Sequence, residues 1–166
     1  FTLSLVPGPK QPEITFHLLQ CRPQSTANDE TASSAPLDLS EADRFFLAQR
    51  MVLKGRVSKI DYLVYVDPLA YGNLPAPVQK REVARCVGRL NKVLEKHAFI
   101  VLGPGRWGSA NLDLGVPVSY ADIFNARALI ELAVAHKGIT PEPSYGTHFF
   151  QDLVESRIYP LALYPD

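Results

Sequence analysis

The apolar run Ala98-Phe-Ile-Val-Leu102 passes without a spacer into Gly103-Pro-Gly-Arg-Trp-Gly-Ser109. A chain that sets three glycines, an arginine, its only tryptophan and a serine directly after a buried-strand pattern has to end that strand in a closely shaped turn. The glycines let the backbone take positive φ or approach a neighbour, Arg106 offers a planar fork of donors, and Trp107 offers a stacking face. The segment reads as a binding site or as the mould of one.

Around it the chain alternates strand and helix patterns. Ile14 to Gln20 is β-branched and apolar between proline-bearing turns, which predicts a strand. Pro23 to Ala35 is small and polar without apolar periodicity and reads as a linker. Arg44 to Val52 and Arg56 to Val66, divided by Lys54-Gly55, suggest a β-hairpin whose second strand alternates Ile60, Tyr62, Val64 and Val66 on one face. Asp67-Pro68 ends that strand, and a proline-rich loop is expected as far as Pro77.

Val83, Val87, Leu90 and Leu94 recur at helical spacing, so 78–96 is predicted as a helix. A second helix, 121–136, is expected from the Ser119 cap with Asp122 three residues on, from Ile123, Ala126, Ile130 and Val134, and from Gly138 as its stop. Thr147 is a candidate cap for a short helix, and Arg157 to Tyr164 returns as a strand. These elements predict an α/β domain of the α+β type, a mixed, largely antiparallel sheet with two main packed helices.

With 166 residues the chain is long enough for one full core. Lys+Arg and Asp+Glu both number 17, which leaves no global field for nucleic acid, so anion recognition would have to be local. Cys21 and Cys86 stand far apart and suggest neither a zinc site nor a disulfide framework; a reduced, cytoplasmic compartment is expected. No apolar run reaches the length of about 18 residues that a membrane span needs. With Phe1 in place of a start methionine, the chain reads as a fragment of something longer.

Gly103, Gly105 and Gly108 formally satisfy G-x-G-x-x-G, the dinucleotide fingerprint. The helix that motif requires is interrupted by Gly115 and Pro117, so the dinucleotide reading fails on context. Two readings remain open. In one, backbone N–H groups around Gly105 and Gly108, with Arg106, Trp107, Ser109 and His148, line a pocket for a small anion such as phosphate or a carboxylate. In the other, the turn is an internal brace, Arg106 pairs with Asp113 or Asp122, and Trp107 caps the core.

His148, between Thr147 and two phenylalanines, is a catalytic candidate as a proton carrier or phosphoryl acceptor; its surroundings favour a packing role instead. His17, His97 and His136 stand alone. Arg81, Arg85, Arg89 and Lys92 form a stripe along the long helix that reads as a solvated face.

Two sets of residues carry a resemblance. Leu18-Leu-Gln-Cys-Arg-Pro-Gln24 resembles the closing strand of the ATP-grasp domain in phosphoenolpyruvate synthase and pyruvate phosphate dikinase-like bacterial proteins. Val64-Tyr-Val-Asp-Pro68, Gly88-Arg-Leu-Asn91, Leu102 to Ser109, Leu114-Gly-Val-Pro-Val118 and Pro143 to Gln151 are similar, in that order, to a domain that follows the ATP-grasp portion in a subgroup of them.

The resemblance implies a division into an ATP-grasp remnant at 1–24, a linker at 25–43 and an accessory C-terminal domain at 44–166. It also implies a parent phosphotransferase using ATP and Mg, with Gln20 and Arg22 as nucleotide-contact remnants and the rest of that parent as partner. The bulk of an ATP-grasp domain is absent, so the fragment alone is expected to turn over no ATP and to need no cofactor. No Thr-Ser-His arrangement like the dikinase phosphohistidine domain occurs. Where relatives tend towards Ser-Asp-Pro-Trp, this chain has Ala110-Asn-Leu-Asp113. The functional expectation is an accessory anion-binding domain; the alternative is a structural or interaction module without a ligand, with neither nucleic acid nor membrane as partner.

Overall fold

The computed structural model describes residues 2–6, 13–17, 40–44, 56–57, 59–135, 138 and 140–165, the first two segments as backbone only. Strands β1 (Thr2–Val6) and β2 (Glu13–His17) form an antiparallel pair, in agreement with a strand near 14–20. Gln20, Arg22 and most of the linker and of the first hairpin strand lie outside the described residues.

Among the described residues the main sheet has four strands, β3 (Tyr62–Tyr65), β4 (Phe99–Pro104), β5 (Ala128–Leu132) and β6 (Tyr159–Leu163), side by side in chain order and all parallel. The α/β expectation stands, and the largely antiparallel sheet is corrected. Parallel neighbours need a long crossover, and each pair of successive strands here is separated by more than a hairpin can be. Among the described residues β3 pairs with β4, on the far side of two helices; residues 45–55, with the Lys54-Gly55 turn of the expected hairpin, lie outside them.

Those helices are α1 (Pro68–Gly72) and α2 (Pro77–Val93). In place of the loop expected after Asp67, the Asp67 carboxylate accepts from the Ala70 N–H at 2.7 Å and starts α1, with Pro68 at the first helical position where no amide is missed. The long helix matches its prediction closely. Its buried positions are Lys80, Ala84, Val87 and Asn91, a stripe half made of polar residues.

The second predicted helix is overturned. Ser119 and Asp122 do meet, with the Asp122 carboxylate accepting from both Ser119 N and Oγ at 2.7 Å, but they close only a single 3-10 turn, Tyr120–Asp122. Of the apolar residues that follow, Ile123 and Ala126 lie in the connection to β5, Ile130 lies in β5 and Val134 lies just beyond it; β5 is buried on both faces as an inner strand, which gives a short run no diagnostic period. Gly138 does take positive φ, at 77°, downstream of a strand and not of a helix. Thr147 caps α3 (His148–Glu155), its Oγ1 accepting from Phe150 N, and β6 occupies the predicted final strand.

In register, Val64, Val101, Leu129 and Pro160 cross the sheet on one face and are all buried. The core joins Val64, Val101 and Leu129 to Tyr71 of α1, Ala84 and Val87 of α2, Ile123 and Leu153 of α3. Among the described residues no helix is long and apolar enough to cross a membrane.

Candidate functional site

A parallel sheet brings all its carboxyl ends to one edge, where open α/β sheets place their sites. The turn after β4 stands at that edge beside Glu131 of β5, whose register partners are Gly103 and Ala162. Both neighbours are small, and the space above Gly103 is taken by the indole: a Cβ there would lie 2.7 Å from Trp107 Cζ2. Trp107 is only 1% exposed.

The turn's amides point inward. Gly105 N donates to Leu132 O at 2.7 Å, Arg106 N to Leu114 O at 2.7 Å, and Gly108 N to Val116 O at 3.0 Å. Trp107 N donates to Glu131 Oε1 at 2.9 Å. The four donors of the anion cradle suggested by sequence are thus engaged within the protein, and the anion among their acceptors is a side chain. Gly105 and Gly108 hold positive φ of 59° and 72°, and a Cβ on Gly108 would meet the Phe149 ring at 2.6 Å.

The other Glu131 oxygen accepts from Ser144 N at 2.7 Å. Ser144 O in turn accepts from Thr147 N and from Thr147 Oγ1, and Thr147 caps α3. One carboxylate therefore ties the turn after β4 to the first turn of α3. Glu131 is 5% exposed. Burial lifts its carboxyl from 4.5 to about 7, while Ser144, the Trp107 N–H and the Arg106 charge pull it downward.

The predicted site residues fall into two groups. Gly105, Trp107 and Gly108 lie in the packed turn. Arg106 is half-buried, and neither expected carboxylate serves it, because Asp113 binds Lys80 Nζ at 2.6 Å and Asp122 accepts from Ser119. Its charge acts on Glu131 instead. Ser109 Oγ accepts from Asn111 N at 3.1 Å, a local turn contact.

His148 is exposed as the first residue of α3, which corrects the packing role expected of it. Packing there falls to Phe149, against Gly108, and to Phe150, whose ring stands 5.0 Å from that of Tyr145. Arg81, Arg85, Arg89 and Lys92 are exposed, with Arg85 bonded to Glu82 and Arg89 to Cys86 Sγ, as a solvated face would be.

The sequence reading passed over Glu131, Ser144, Lys80 and Asn91. A lone carboxylate inside Ala128-Leu-Ile-Glu-Leu-Ala133 was the available signal, since an acid in so apolar a run is either at an edge or buried with donors. Lys80, 6% exposed, also lies 5.2 Å from the Tyr71 ring centroid, and the Tyr71 hydroxyl donates to Gly115 O at 2.8 Å. This second set of contacts pins the 112–115 loop that the turn amides use as acceptor. Among the described residues no group of three or more His, Cys, Asp or Glu is placed to hold a metal ion. Comparison with protein-family models, with curated proteins and with solved structures finds no match.

Proposed function

We propose that this domain is a non-catalytic structural module of a larger, cytoplasmic, dikinase-like ATP-binding phosphotransferase, and that its Gly-Arg-Trp-Gly turn is an internal brace with no ligand of its own. The link to the parent rests on the sequence resemblance. The brace rests on one observation above all: the carboxylate of Glu131 occupies the anion position of the turn, bonded to Trp107 N and Ser144 N. With Trp107 N on Glu131 and the amides of Gly105, Arg106 and Gly108 on backbone carbonyls, none of these four turn amides is left to receive phosphate.

The motif residues behind the resemblance carry packing tasks, which supports the same reading. Asp67 caps α1, and a Cβ on Gly88 would crowd Asp122 Oδ1 at 2.7 Å. Asn91 accepts from Asn125 N at 2.9 Å, and Gly103, Gly108 and Gly115 admit Trp107, Phe149 and the Arg106 backbone. ATP and Mg belong to the parent in this view, with Gln20 and Arg22 as its remnant contacts, and no step through them is assigned to the domain.

Calorimetric titration of phosphate, phosphoenolpyruvate and Mg-ATP into wild type and Arg106→Ala tests the proposal. The expected result is no binding by either protein that depends on Arg106. Binding by wild type that Arg106→Ala abolishes, in a variant of unchanged stability, would replace the brace by an anion pocket of Arg106, Ser109 and His148.

A further inference from the structure

Successive residues of a strand face opposite sides of the sheet. Val64, Val101 and Leu129 lie in the core shared with the described helices, so the neighbouring register row, Tyr65, Leu102, Ile130 and Leu161, lies on the other side. Leu63 and Ala128 belong to that side too, and none of the six joins the helix-side core. Parallel strands in chain order explain the asymmetry, because right-handed crossovers then carry every connection over the same side. A parallel sheet is nevertheless covered on both sides as a rule. Exposure on the helix-free side is graded: Ala128 and Ile130 of β5 are 5% and 4% exposed, whereas Leu63 and Tyr65 of β3 are 52% and 51% exposed. Burial that deep outside the helix-side core calls for a cover over β5 that stops short of β3.

We propose that the β1–β2 hairpin docks on the helix-free side of the main sheet, centred on β5, through the face that carries Leu3, Leu5, Ile14 and Phe16. In the hairpin register Leu3 stands opposite Phe16 and Leu5 opposite Ile14, so these four residues share one face, while Thr2, Ser4, Thr15 and His17 share the other. A two-stranded hairpin is marginally stable at best on its own and needs an apolar face to pack against. Two strands of five residues have a footprint of roughly 150 Å², about half of the roughly 300 Å² that four such strands present. The hairpin is thus wide enough for the buried centre of the face and too narrow to reach β3 as well.

The chain between β2 and the 3-10 turn at Glu41–Asp43 permits this, since residues 18–39 are enough to reach about 70 Å, several times the sheet's width of roughly 20 Å. The tether makes docking intramolecular, which offsets the small area. A second copy has no such advantage, because a footprint of roughly 300 Å² falls well short of the about 800 Å² per partner of a stable dimer. Residues 45–55 enter the sheet at β3, where the face is most exposed. The docking stands without the Glu131 brace. In the parent proposed above, and resting on that reading, it is the contact between the ATP-grasp remnant at 1–24 and the accessory domain.

Methyl NMR and carbene footprinting of the full chain test the docking. In wild type the Ile130 and Leu161 methyls should give NOEs to those of Leu5 and Ile14. Phe16→Asp should remove these NOEs and raise the labelling of Ile130 towards that of Leu63, while Trp107 emission stays unchanged because the indole belongs to the helix-side core. Thr15→Asp, on the other face of the hairpin, should change neither. Labelling of Ile130 that Phe16→Asp leaves unmoved, or that Thr15→Asp raises equally, overturns the docking. So do wild-type NOEs from Ile130 to residues 45–53, or NOEs between copies in a mixed-label sample, which would put that segment or a second copy on the face. Should Phe16→Asp fail to fold, the wild-type NOEs decide. The brace fails by a different result, Arg106-dependent ligand binding at unchanged stability.

Discussion

The Trp107 amide and the Glu131 carboxylate meet at 2.9 Å between the ends of adjacent parallel strands, while the indole of the same tryptophan covers Gly103, the residue in register with Glu131. Backbone and side chain of one residue thus fix the turn from two directions. A polar bond orients it, and apolar burial holds it.

Trp107→Ala should therefore behave as a core truncation. At 1% exposure the indole leaves a cavity that the Gly103 backbone has no side chain to fill. The expected loss is about 3 to 5 kcal/mol in urea unfolding. Trp107→Phe should lose less, since the buried indole Nε1 has no hydrogen-bond partner to forfeit. A surface-like loss below about 1 kcal/mol for Trp107→Ala would contradict the brace.

Gly108→Ala and Gly146→Ala separate conformational strain from crowding. Both glycines have positive φ, 72° and 78°, so alanine costs about 1 to 2 kcal/mol at each on that ground. Around Gly146 there is open space, whereas at Gly108 the new methyl runs into Phe149 and adds about 1 to 3 kcal/mol of overpacking. Equal losses at the two sites would mean that Phe149 moves aside and that α3 is not seated against the turn.

The element pattern was legible in the sequence wherever one physical signal dominated. Val83, Val87 and Leu94 gave α2 because a helix with one buried side leaves a period, and Thr147 gave the start of α3 because a cap is local chemistry. β5 was misread because an inner strand of a parallel sheet is apolar on both faces, and over Ile123, Ala126, Ile130 and Val134 its approach happened to match helical spacing. Sheet direction was not legible either, because the neighbour that β3 has among the described residues lies beyond two helices, further along the chain than a local pattern reaches.

The site was half legible for a related reason. Glycines and a tryptophan advertise a shaped turn from sequence alone, but the acceptors of its amides are set by tertiary register. Glu131 and Lys80 answer charge with burial, which no apolar pattern contains.

Lys80 and Asp113 should respond unequally to substitution. Lys80 has a side chain 8% exposed, whereas Asp113 is 73% exposed. Removing Asp113 strands a buried ammonium beside Tyr71, so Asp113→Ala should lose about 1 to 2 kcal/mol, discounted for the exposed partner. Lys80→Met keeps the buried stem and removes the charge, and should be near neutral. Urea midpoints for the two variants and the double variant would measure this, and a Lys80→Met loss larger than that of Asp113→Ala would show that the charge, not the stem, holds the 112–115 loop.

Glu131 also sets the pH dependence of global stability, with a sign opposite to that of a salt-bridged acid. Its carboxyl titrates near 4.5 when unfolded and about 7 when folded, so between those values the native state binds more protons than the unfolded one. Stability from this group is full below 4.5 and declines as pH rises, levelling off above 7 after a loss of at most about 3 kcal/mol. Asp61, held below its usual value chiefly by the Ala98 N–H, acts in the reverse sense and only at acid pH, as its carboxyl protonates. Urea unfolding from pH 5 to 8 in wild type and Glu131→Gln therefore reads Glu131 by difference: wild type should weaken with rising pH relative to Glu131→Gln, whose amide cannot ionise. A wild-type stability that rises across this range would mean that the two N–H donors and Arg106 outweigh burial, and that the carboxylate is held as a charge.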